Sequence, residues 1–163
     1  METTRRVQKL RRGWLPVNSR ESRVDPDRLS GCSACSPSNF VAETVDHLFQ
    51  CESSARRRAI LDRFSTLFSD FRVWKTSKTI IAALLAGALA WVEGRDIPSL
   101  ESLDLPDTAI GRLTARAFTD QTSLGWNVLF RGFWASSWRL AQEEQFSQYS
   151  SRERQDTGKQ WAG

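Results

Sequence analysis

The 163-residue chain is short of catalytic side chains: it has one histidine and three cysteines, with one tyrosine and one methionine. With a single imidazole, any Ser-His-Asp or Cys-His scheme must be built on His47, and nothing convergent with it is visible. No Gly-rich loop ends in Gly-Lys-Ser/Thr, which excludes a P-loop, and no dinucleotide fingerprint follows a strand pattern. The longest apolar run, Ile80–Val92, falls well short of the roughly 20 residues a membrane span needs. Met1 to Arg12 is polar and basic, without the apolar core of a secretory signal. The expectation is therefore an intracellular chain, nuclear or cytoplasmic and not secreted, with no membrane partner and no evident small-molecule substrate. In a reducing compartment three cysteines point to metal binding rather than to disulfides.

Enough is present for a core. Hydrophobic residues make up 40% and charged residues 26%, with nine Phe and seven Trp, which argues against wholesale disorder. The net charge of +4 is unevenly placed. Residues 1–28 hold eight basic and four acidic side chains, and the remainder is balanced, so the sequence reads as a basic arm on a neutral body.

The pattern is that of an all-α protein: a helical bundle of about four helices with a small N-terminal zinc knuckle. Residues 1–30 form a poorly packed basic arm, broken by Pro16 and Pro26, in which Trp14-Leu15-Pro16-Val17 can dock on the body. Residues 31–52 form the knuckle and lead into the first helix, 53–149 the helical body, and 150–163 a frayed polar tail. The first helix starts near Ala42, and its apolar stripe includes Val45, Leu48, Phe49, Phe64, Leu67, Phe68 and Phe71. It runs to about Phe71 or breaks once near Ser53. The second helix, 76–92, is apolar nearly all round and belongs in the middle of a bundle. After a linker with Pro98 and Pro106, Asp107 or Thr108 caps a third helix through about Thr122. The fourth spans roughly Leu124 to Tyr149, with an aromatic stripe of Phe130, Phe133, Trp134 and Trp138 that reads first as core and second as a base-stacking surface.

All three cysteines and the histidine fall in one window: Cys32, Cys35, His47 and Cys51, spaced C-x2-C-x11-H-x3-C. In C-x2-C a tight turn aims two thiolates at one point. In H-x3-C on a helix the ligands are i and i+4 and share a face. Such a set suits one tetrahedral, structural Zn2+, because four protein ligands leave no open position for catalysis. Iron-sulfur ligation favours four cysteines. The alternative is that Cys32 and Cys35 are free thiols and His47 an ordinary surface histidine.

The segment GCSACSPSNFVAETVDHLFQC resembles the zinc-finger-like region after the polymerase domain in reverse transcriptases of non-LTR retrotransposons. The resemblance rests on C-x2-C, Glu43-Thr44 ahead of His47, Leu48-Phe49 and Cys51, with weaker likeness in Trp14–Asn18, Gln121–Trp126, Gly132 and Trp138. Two details depart from the family. Ser33 stands where proline is frequent, and the His-to-Cys gap is one residue shorter than is common. No polymerase motif is present, since Phe118-Thr119-Asp120-Gln121 lacks the second acid of a Tyr/Phe-x-Asp-Asp element. The resemblance implies a detached C-terminal piece, not an enzyme by itself, that binds RNA or DNA and has the rest of a reverse transcriptase as a possible partner. Arg5, Arg6, Lys9, Arg11 and Arg12 ahead of the finger, and Arg56, Arg57 and Arg58 after it, are the candidate phosphate contacts. The second cluster reads equally well as a solvated helix face. A net charge this small predicts weak, salt-sensitive binding. The competing function is a zinc-stabilised helical module that docks a protein.

Overall fold

A computed structural model describes residue 25, residues 31–35, residues 41–147 and residue 149. The basic arm residues Arg5, Arg6, Lys9, Arg11 and Arg12, the Trp14–Val17 patch and the tail 150–163 lie outside the described residues. The chain is all-α, as its periodicity requires. The helices are α1 (Val45–Gln50), α2 (Ser54–Val73), α3 (Lys78–Val92), α4 (Ala109–Leu124), α5 (Trp126–Leu129) and α6 (Ser137–Ser147), with a short 3-10 turn at Glu101–Leu103. Four of these are long enough to form a bundle. Extended pairing among the described residues is confined to an isolated antiparallel bridge between Gly31 and Ala42. No described helix is long and apolar enough to cross a membrane.

Two compact units emerge. The first takes the residues up to Arg63 together with Phe130–Phe133, and the second takes Phe64–Leu129 and the chain from Trp134 onward.

In the first unit the helix expected from Ala42 is two helices. Thr44 caps α1, its hydroxyl accepting from the His47 N–H at 3.1 Å, which ties down one of the orphan donors of the first turn. The break falls at residues 51–53, next to the Ser53 position at which the sequence allowed one. Cys51 leaves helical geometry for an extended backbone (φ −62°, ψ 129°), and α2 starts again with Arg57 N–H bonding to the Ser53 carbonyl at 2.9 Å.

The second unit has the central apolar helix that its composition predicts. α3 buries Ile80, Ile81, Ala83, Leu84, Gly87, Ala88, Ala90 and Val92. It packs against α4, α5 and α6, and α4 packs in turn against α5 and α6. Ser77 caps α3 and Thr108 caps α4, each through its hydroxyl. The small residues have a purpose: a Cβ on Gly87 would lie 2.1 Å from the Trp126 ring. Trp126 is itself buried, its ring tilted against Phe118 with centroids 5.2 Å apart, and hydrogen-bonded from its indole N–H to the Thr122 hydroxyl at 3.1 Å.

The expected fourth helix is not continuous. It divides into α5 and α6, with a non-helical stretch between them. Gly132 (φ 84°), in the stretch between α5 and α6, occupies the left-handed half of backbone space that other residues avoid and turns the chain there, while Gly125 (φ 101°) ends α4 as its C-cap. Gln121, fully buried, satisfies the backbone that the break sets free. Its carbonyl oxygen accepts from the Ala135 N–H at 2.9 Å and its amide donates to the Gly125 carbonyl at 3.1 Å. The aromatic stripe divides with the helix. Trp138 and Ala141 are core, whereas Phe133 is 46% exposed.

Candidate metal centre

The site is assembled entirely within the first unit. At its start, Cys32 N–H donates to the Val41 carbonyl at 2.8 Å, beside the Gly31–Ala42 bridge, which brings the two ends of the intervening loop together. The chain then turns tightly, with Cys35 N–H bonded to the Cys32 carbonyl at 3.3 Å. This turn sets two sulfurs side by side. The third and fourth donors come from α1 and its end: His47 in the helix and Cys51 as its C-cap.

The four donor atoms of Cys32, Cys35, His47 and Cys51 lie within 4.8 Å of one another. The Cys51 sulfur is 3.8 Å from that of Cys32 and 3.6 Å from that of Cys35. His47 presents Nε2 to the Cys35 sulfur at 3.3 Å. The sulfurs are far beyond the roughly 2.05 Å of a disulfide, and all three cysteines are free. Cys32 and Cys51 are buried and Cys35 partly so. The cluster is close enough to hold a metal ion.

The electrostatics agree with that use. Burial alone would raise the Cys32 thiol, but the backbone N–H groups of Ala34 and Cys35, together with the neighbouring sulfurs, outweigh it and lower the pKa. Partial burial pushes Cys35 up to about 12, reinforced by hydrogen bonds and charge from Cys51 and Cys32. A bound divalent cation would hold coordinating thiols in their thiolate form.

Arg56 is not where a phosphate contact requires it. One guanidinium nitrogen, Nη1, donates to the Cys32 sulfur at 3.3 Å and to Glu43 Oε2 at 3.1 Å, and Nη2 reaches the same carboxylate oxygen at 3.1 Å. Burial would lower its pKa, but the bond to Glu43 and the charge on Cys32 raise it, so Arg56 stays a cation. Arg57 and Arg58, in contrast, are exposed on the first turns of α2.

Two contacts from distant sequence also hold the finger. Arg131 Nη2 pairs with Asp46 at 2.8 Å, and the Phe130 ring lies tilted against Phe49 with centroids 4.7 Å apart. Neither was legible from spacing, because Phe130 and Arg131 lie far along the chain inside what reads as an aromatic helix. Glu43 was visible only as part of the resembling segment.

The chain matches no family model, no curated protein and no solved structure. Its function therefore has to be read from the cluster itself.

Proposed function

We propose that Cys32, Cys35, His47 and Cys51 hold one structural zinc ion, and that the finger they form binds nucleic-acid phosphates. The observation that carries this reading is the convergence of four N/S donors within 4.8 Å. A tetrahedron with zinc–sulfur bonds of about 2.3 Å has sulfur–sulfur edges of about 3.8 Å. The two edges at Cys51, 3.8 and 3.6 Å, match that spacing. Four protein donors leave no open coordination position, which favours a structural role over a catalytic one.

Support for the nucleic-acid partner is electrostatic. Arg57 and Arg58 are exposed just beyond the finger, and the sequence places a further basic cluster at Arg5, Arg6, Lys9, Arg11 and Arg12. Arg56 is withdrawn from that set by its bonds to Glu43 and Cys32. Descent from the post-polymerase region of a retrotransposon reverse transcriptase accounts for both the ligand order and the lack of polymerase motifs, and it is part of the same proposal. A protein-docking module is the second reading, favoured by the exposure of Leu61 (39%) and Phe133 (46%).

The experiment has two arms. Purified protein should carry about one zinc per chain, and Cys35→Ser or His47→Ala should abolish it. Unchanged zinc content in both variants overturns the metal assignment. Single-stranded or structured RNA and duplex DNA should bind at about 50 mM salt and lose affinity steeply by about 200 mM. Arg57→Ala with Arg58→Ala should reduce the salt slope. No binding of any nucleic acid at the lower salt leaves the docking module as the function.

A further inference from the structure

We propose that Arg56 is a positioning residue of the metal centre: anchored by Glu43, its guanidinium holds the Cys32 sulfur in place and offsets the excess negative charge of the ligand set. The inference rests on the zinc reading above and deepens it. Three thiolates and a neutral imidazole around a divalent cation leave one net negative charge. Among the described residues, Arg56 places a cation against it, with Nη1 at 3.3 Å from Cys32 Sγ.

The placement is built rather than incidental. Glu43 is 6% exposed, and burying a carboxylate is costly unless it is paired and hydrogen-bonded. Both terminal nitrogens of Arg56 converge on one of its oxygens at 3.1 Å, and this fixes the guanidinium in the orientation that reaches the sulfur. Glu43 immediately precedes the Thr44 cap of α1, and Arg56 sits in the first turn of α2, so the pair links the two helices on either side of Cys51. Lysine could supply the charge. It could not bridge a carboxylate and a sulfur through a planar fork.

An N–H donor on a bound thiolate withdraws electron density from the sulfur and fixes its direction, as outer-shell partners of metal ligands do generally. Loss of such a partner weakens metal binding by about 10–100-fold. The test uses the full chain and two metals. Zinc affinity is measured by competition with a chromophoric chelator, and cobalt(II) is titrated as a spectroscopic substitute. Arg56→Met should weaken zinc binding by about 10–100-fold and shift the sulfur-to-cobalt charge-transfer absorption to lower energy, because a thiolate without its donor holds its lone pair less tightly. Arg56→Lys should recover part of the affinity. Glu43→Gln should shift the band in the same direction by a smaller amount, and it carries the test if Arg56→Met does not fold. Unchanged affinity and an unmoved band in the folded variants overturn the inference while leaving the zinc reading intact. A wild-type chain that takes up neither metal overturns both.

Discussion

At the scale of single residues, two positions show how little tolerance this chain has. Gly87 lies where α3 meets the Trp126 ring, and the space for even one methyl group is already filled by the indole. Trp126 cannot retreat easily, because it packs against Phe118 and is hydrogen-bonded to Thr122. Gly87→Ala should therefore destabilise the protein by about 1–3 kcal/mol, the usual cost of overpacking, despite alanine's better helix propensity. Denaturant titration followed by tryptophan fluorescence measures it, and a neutral or stabilising result would show that the ring has room to move. Arg56 makes the complementary point. From sequence it is one of three adjacent arginines with no feature to separate them. Its neighbours point to solvent while it reaches a carboxylate and a sulfur.

At the scale of elements, α1 is the weak member. It has six residues and buries none of them fully, and a helix this short is not stable in water by propensity alone. Its order must come from outside: the Thr44 cap, the ligand cluster, and the Phe130–Arg131 segment against Phe49 and Asp46. The Phe49–Phe130 ring contact is worth about 0.5–1.5 kcal/mol beyond its buried area. Loss of this tilted ring contact in Phe130→Ala should accordingly weaken zinc binding by several-fold without touching a ligand, as read by chelator competition. Affinity equal to wild type would mean that α1 is held by its own ligands and cap. The broken fourth helix belongs to this scale as well. Periodicity favoured one helix from Leu124, but the positive-φ Gly132 and a buried Gln121 that accepts from the freed Ala135 N–H favoured a break over continuation.

At the scale of the whole molecule, the two units differ in what stabilises them. The second has an apolar core drawn from α3, α4, α5 and α6, including the fully buried Ile80, Thr114, Gln121 and Trp138. The described part of the first unit has little apolar core besides its cysteines and depends on the ligand cluster. Metal removal should therefore be a local event. A strong chelator at neutral pH is expected to erase protease resistance around residues 31–53, while most of the far-UV helical signal and the thermal transition of the second unit remain. Complete loss of helicity on chelation would instead make the metal the keystone of the entire fold.

The sequence by itself determined the all-α class, the central apolar helix, a cap at Asp107 or Thr108 and the four candidate ligands. Those properties follow from local spacing: steps of three and four, an oxygen at a helix start, and donors close enough in the chain that a turn and a helix suffice to gather them. Tertiary structure alone decided the rest. It broke the aromatic segment, sent Phe130 and Arg131 to the finger, and gave one arginine of three to Glu43 and Cys32. Such choices depend on which buried charge, ring or freed backbone group must be satisfied by a residue far away in the chain, and no local periodicity records that requirement.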